Sequence, residues 1–200
     1  MSLSRALEFC GARVKLASSP AEIKNAEYLI LPGVGAFQEG MRGLRERGLI
    51  ESIQIFLESG RPFLGICLGM QLLLEQSYEF GISQGLGYIN GSVRLLPTIR
   101  KNGEKNILPH VSWNIIEKPK GDENAWKKSI LEDVDPGFYT YFVHSYYCDP
   151  SSQEDVLAVT PFHDFNFPSI IRKNNVYGVQ FHPEKSGEAG LNFLQKFLSL

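Results

Sequence analysis

An apolar run that changes its period at a single residue constrains this chain most. In "RPFLGICLGMQLLLEQS" the stretch up to Ile66 reads as a short strand buried on both faces, and "GMQLLLEQS" continues at helical spacing. The change falls on a cysteine, inside Gly65-Ile66-Cys67-Leu68-Gly69. The same alternation runs over residues 1 to about 80. Ser4 to Cys10 reads as a helix stopped by Gly11, and Arg13 to Leu16 alternates as a strand. "SSPAEIKNA" is a helix start, with Ser19 as cap, Pro20 in the first turn and Glu22 three residues after the serine. "EYLILPG" is a buried strand and "ESIQIFLESG" an amphipathic helix closed by Gly60. Alternating strands and helices predict a parallel sheet with helices on both faces.

The second half is different. "GYINGSVRLL", "NILPHVSWNII", "FYTYFVHSYYC", "DVLAVT" and "SIIRKNNVYGVQFH" are strand-like and rich in Val, Ile, Tyr and Phe. Asn174 and Asn175 mark a hairpin turn, and "GLNFLQKFLSL" is a closing helix. Residues 97–105 and 119–124 read as polar loops. No repeat, low-complexity tract or linker interrupts the chain, so residues 1–200 read as a single α/β domain of ordinary size.

Composition excludes several classes of function. A net charge of −2 gives no electrostatic footprint for nucleic acid or an acidic membrane, and no run is long enough to span a bilayer. Three cysteines without C-x-x-C spacing predict a reducing, cytoplasmic setting, with neither a disulfide framework nor a structural metal, and no cofactor motif is present. The N-terminus carries no signal-peptide hydrophobic region.

A nucleophile held on a tight strand-to-helix turn needs small residues on both sides, and Gly65 and Gly69 supply them around Cys67. The helix N-terminus favours thiolate there, and the N–H of Leu68 would face an oxyanion formed on attack. Four histidines are candidate bases: His110, His144, His163 and His182. His182 stands out because it closes a β-like segment, precedes Pro183, and has Glu184 two residues on to orient its ring. "LPGVGAF" also follows a strand. Its next glycine, Gly40, comes too late for a dinucleotide fingerprint. Gly33, Val34 and Gly35 therefore read as a turn whose N–H groups approach a ligand oxygen, or more simply as a tight turn.

"GICLGMQ", "FHPEKS" and "PGVGAF" together resemble the class I, triad-type glutamine amidotransferases. "LPGVGAF", "PFLGICLGMQLL", "YFVHSYY" and "GVQFHPEKSG" resemble the branch that forms the glutaminase subunit of imidazole glycerol phosphate synthase. The resemblance covers essentially the whole chain. It implies the class I amidotransferase fold, a mostly parallel central sheet flanked by helices with an antiparallel β extension. It also implies glutamine hydrolysis by a Cys67–His182–Glu184 triad through a γ-glutamyl thioester. Gly33, Val34, Gly35 and Leu68 match the oxyanion site, and Gln71, Ser145 and Tyr146 match positions that hold glutamine. Val111, Trp113 and Asn114 match a segment at the interface with a (β/α)8-barrel cyclase partner, which receives the ammonia and forms imidazole glycerol phosphate in histidine biosynthesis.

The chain departs from the pattern in three places. The family has a further strand and glycine-rich loop ahead of the segment matched by "MSLSRALEF". Without them, the strand ending at Leu31 is expected to lose a neighbour, and a truncated, non-catalytic binding subunit is one alternative. Ser112 stands where the family has glycine. "EKSGEAG" resembles a related branch that supplies ammonia to amidate a sugar of surface polysaccharide. A cysteine peptidase on the same fold fits "FHPEKS" less well.

Overall fold

The computed structural model describes residues 2–200. The chain opens with α1 (Leu3–Phe9), whose Ser2 cap accepts from the N–H of Arg5. In α2 (Pro20–Lys24) the capping box predicted at Ser19 is complete. The Ser19 hydroxyl accepts from the N–H of Glu22, and the Glu22 carboxylate accepts from the N–H of Ser19. Between the two helices, Arg13 to Leu16 is not a strand. Leu16 is exposed, and among the described residues no strand lies beside the segment, so its alternation has no ladder to join.

β1 (Leu29–Gly33) leads into α3 (Phe37–Glu46), which the sequence pattern did not announce. Gly40 and Gly43 dilute the helical signal there, although Phe37 and Met41 are buried one turn apart. Next come α4 (Ile50–Glu58), β2 (Phe63–Cys67) and α5 (Leu68–Leu72). The helix expected across "GMQLLLEQS" stops after Leu72, and Leu74–Ser77 becomes β3. The cause is competition for carbonyls. The oxygens of Leu72, Leu73 and Leu74 accept from the N–H groups of Leu86, Tyr88, Ile89 and Gly87, so they are not free to extend a helix.

β3 pairs with β4 (Ser83–Gln84) and β5 (Ile89–Leu95), and β5 pairs in turn with β8 (Tyr146–Pro150). β6 (His110–Ile116) and β7 (Phe138–His144) form an antiparallel ribbon. The chain turns at Ser145 between β7 and β8. β9 (Val156–Phe162), β10 (Phe165–Lys173) and β11 (Val176–Val179) follow, and α6 (Gly187–Phe197) ends the fold. The β10–β11 hairpin turns at Asn174 and Asn175, as predicted, with Asn174 at φ 56.

The main sheet has the order β1-β2-β11-β10-β9. β1, β2 and β11 are parallel, and β10 and β9 continue the sheet antiparallel. This is the parallel centre with an antiparallel extension that the sequence implied. β1 forms one edge.

Successive side chains of β2 serve opposite faces. Leu64 and Ile66 pack with Phe142, Phe181 and Phe197, while Phe63 packs with Phe37, Phe56 and Met70. Each of these phenylalanines is fully buried and contributes on the order of 1.5–3 kcal/mol. Cys67 therefore sits at the end of a strand held from both sides. Among the described residues no helix is long and apolar enough to cross a membrane.

Candidate active site

Cys67 is the last residue of β2 and the first before α5. Its backbone has φ 54 and ψ −108, a sparsely populated conformation for any residue with a side chain. Packing imposes it. A Cβ on Gly65 would lie 2.6 Å from the carbonyl oxygen of Gly69, and one on Gly69 would lie 1.7 Å from that of Leu31. α5 is thus pressed against β1 and β2 at the point where the chain turns, and the strained residue carries the thiol.

β11 lies beside β2 with Ile66 opposite Val179. The chain leaves β11 through Gln180 and Phe181 to reach His182, whose N–H donates to the carbonyl of Tyr141 on β7 at 3.0 Å. Pro183 starts one tight turn, and the N–H of Lys185 and the hydroxyl of Ser186 both donate to the His182 carbonyl. That turn brings Glu184 back onto the ring, with Nδ1 of His182 at 3.0 Å from Oε1. Both side chains are largely buried, at 5% and 12% exposure.

The pKa of His182 is raised to about 9, first by the Cys67 sulfur it faces and then by Glu184, against the opposing effect of burial. For Glu184, burial pushes the pKa upward, but hydrogen bonds from His182 and its own backbone, with the nearby charges of His182 and Lys185, outweigh it. The net direction is down. At neutral pH the imidazole is therefore protonated and the carboxylate ionised. Nε2 of His182 is buried without a hydrogen-bond partner. It faces the Cys67 sulfur, yet no aligned bond joins them. A buried donor with no partner beside a thiol is a group poised for proton transfer.

Gly33 stands opposite Cys67 in the β1–β2 register, and Leu68 follows the thiol directly. Val34 is 78% exposed at the rim, and Gly35 turns the chain with φ 97. Gln71 is buried. Its Nε2 donates to the carbonyl of Tyr146 at 3.1 Å and to Oε1 of Gln180 at 3.2 Å. Ser145 accepts from the N–H of Leu96 at the β7–β8 turn. The Tyr146 phenol is raised by burial and then by Glu79. The structure thus brings Cys67, His182, Glu184, Gly33, Leu68, Gln71 and Tyr146 to one region.

The proposed interface residues divide. Val111 and Trp113 are each 52% exposed on the outer face of β6. Asn114 does not join them, because strand alternation turns it inward. Its amide donates to the carbonyl of Pro161 at 2.7 Å, and its Oδ1 accepts from the N–H of Ile115. A cavity of about 330 Å³ lies between Trp113, Glu184, Lys185, Gly187 and Leu191, so the exposed face of β6 reaches the back of the His–Glu pair. A larger cavity of about 570 Å³, between residues 131–138 and α6, is separate from this centre. Among the described residues no cluster of three or more His, Cys, Asp or Glu side chains forms a metal site.

The sequence pattern missed Gln180. It is fully buried, and its Nε2 lies 3.6 Å from Sγ of Cys67. A glutamine in an otherwise apolar strand end was the available signal. His163, by contrast, is a surface residue beside Arg100.

The class-I glutamine amidotransferase model matches residues 1–199. The chain is 44% identical to imidazole glycerol phosphate synthase subunit HisH 1 of Legionella pneumophila (strain Lens), covering 100% of this chain and 93% of that protein. It is 45% identical to subunit HisH of Caldanaerobacter subterraneus subsp. tengcongensis, covering 98% and 90%. Among solved structures, one described as a glutamine amidotransferase superposes with a TM-score of 0.70 at 20% identity, over 97% of this chain and 91% of the other. The glutaminase domain of Trypanosoma brucei CTPS with bound acivicin gives 0.65 at 18% identity, over 98% and 87%. At those identities the two structures speak for the fold.

Proposed function

The chain belongs to the class I glutamine amidotransferase family, and on that premise we propose that it is the glutaminase subunit of an imidazole glycerol phosphate synthase. It hydrolyses the side-chain amide of glutamine and passes ammonia to a (β/α)8-barrel cyclase subunit for histidine biosynthesis. The observation that carries this reading is the strained thiol at the end of β2, facing the unpartnered Nε2 of a histidine held by a carboxylate.

Cys67 sulfur attacks the amide carbon. The oxyanion is met by the N–H of Leu68 and by the Gly33–Gly35 turn. Collapse expels ammonia, which takes the proton from Nε2 of His182, and a γ-glutamyl thioester remains. The imidazole, now neutral, removes a proton from water as it attacks the thioester, and collapse releases glutamate and the Cys67 thiolate with the imidazolium restored. Glu184 holds the ring through Nδ1 and stabilises its positive charge in both steps. Val111 and Trp113 dock the cyclase, beside the cavity that opens onto the His–Glu pair.

The test is glutamate release measured with and without the cyclase subunit, paired with rescue of a histidine auxotroph by both genes. Release that rises when the cyclase is added, with rescue, supports the assignment. Hydrolysis that ignores the cyclase, together with failure to rescue, overturns it.

A further inference from the structure

Six polar groups join the outer β6 strand to the thiol through the interior of the protein, and donors from both sides converge on the Tyr146 carbonyl. Gln71 donates both to the Tyr146 carbonyl and to Oε1 of Gln180, which leaves Gln180 with Nε2 toward Cys67 at 3.6 Å. The same Tyr146 carbonyl is 2.9 Å from Nδ1 of His144. A carbonyl only accepts, so His144 carries its proton on Nδ1 and presents a bare Nε2. Nδ1 of His110 lies 3.1 Å from that nitrogen and must donate to it. Nε2 of His110 is then the acceptor for the Ser112 hydroxyl at 2.8 Å.

His110 and His144 face each other across the β6–β7 ribbon, enclosed by Phe142, Phe162 and Phe167. Burial pushes both imidazoles down, His110 to about 4 and His144 to about 3, so both stay neutral and these donor and acceptor roles are stable at neutral pH. Neither ring touches the reacting atoms; the Tyr146 carbonyl orients the Gln71 amide and through it the Gln180 amide, and the histidines hold that carbonyl from the β6 side. Ser112 sits between the exposed Val111 and Trp113.

We propose that Gln180 is a positioning residue whose amide N–H holds the Cys67 sulfur in its reactive form, and that His144 and His110 are positioning residues that hold the Tyr146 carbonyl on which Gln71, and through it that amide, is anchored. The proposal rests on the reading of Cys67 as the nucleophile. A donor to sulfur favours the negatively charged form, so its loss slows every reaction of the thiol.

The test uses the full chain and iodoacetamide, with alkylation followed at the Cys67 peptide by mass spectrometry. Gln180→Met conserves volume and removes the donor, and Gln180→Glu keeps the acceptor toward Gln71 but turns an oxygen toward sulfur. The expected result at pH 7 is alkylation about tenfold slower in Gln180→Met, slower again in Gln180→Glu, with both pH–rate profiles moved to higher pH. His144→Phe, and His110→Phe should the first not fold, move the profile the same way by less. Near-UV circular dichroism confirms the fold of each variant. Alkylation of Gln180→Met at the wild-type rate and pH profile overturns the role of Gln180. Wild-type behaviour in the folded histidine variants overturns the chain. Alkylation reads the thiol directly. A variant series that follows this order, with a wild-type chain that releases no glutamate with its cyclase, would overturn the functional assignment and leave the positioning role standing.

Discussion

Gly69 packs so closely on Leu31 that the Leu31 carbonyl oxygen occupies the space of a side chain. This contact ties α5 to the end of β1 and holds the turn that carries Cys67. Gly69→Ala cannot be absorbed by a rotamer change, since the clash is with backbone. The expected cost is about 3 kcal/mol or more, read as a lower urea midpoint, with the alkylation of Cys67 also disturbed.

Cys67→Ala is expected to abolish glutamate release. Because position 67 has φ 54, Cys67→Gly relieves strain that Cys67→Ala retains. The glycine variant is expected to be the more stable of the two inactive proteins by about 1 kcal/mol, a difference accessible to paired thermal melts.

The His182–Glu184 pair has a pH signature. The folded pKa of His182, about 9, lies above its ordinary value of 6.5. The stabilisation from this pair is complete below about 6.5 and disappears as pH rises through about 9. Glu184→Gln removes part of the cause, so the slope of stability across this window flattens. Glutamate release falls less than on loss of the thiol, because Glu184 orients the ring and does not attack.

His110 and His144 work in the opposite direction. Their folded pKa values, about 4 and about 3, lie below the ordinary 6.5, so the unfolded chain binds more protons as pH falls below that value. Stability is expected to drop steadily from about pH 6.5 toward about 4. His110→Phe with His144→Phe should reduce that slope in urea titrations at several pH values.

Trp113 stands half exposed on β6 and makes an edge contact with Tyr141 at 6.1 Å. Trp113→Ala is expected to leave folding stability within about 0.5 kcal/mol. It should weaken cyclase binding by about thirtyfold, the loss typical of an aromatic anchor; urea melts read the first half of this expectation and titration calorimetry the second.

Much of this was legible in the residues. The elbow could be read because its chemistry is local: two glycines around one cysteine, at a change of period, admit few structures. His182 and Glu184 were legible for the same reason, since a single turn after Pro183 joins them. α3 was hidden because Gly40 and Gly43 are there for packing and not for helix propensity; a Cβ at Gly40 would lie 3.0 Å from Leu68. β3 was hidden because the end of α5 is decided by N–H donors more than ten residues away, at Leu86 to Ile89. Arg13 to Leu16 has the pattern of a strand without a neighbour. Gln180 and Asn114 escaped because no spacing rule tells which face of a strand meets a thiol and which meets a partner.

Cys67 and His182 follow neighbouring parallel strands whose alignment, Ile66 beside Val179, is set by backbone hydrogen bonds. The separation of Cys67 and His182 is therefore anchored in that ladder, with the Tyr141 carbonyl fixing the last step from Val179 to His182. Slippage of β11 by one residue would invert its faces and abolish the chemistry at a stroke.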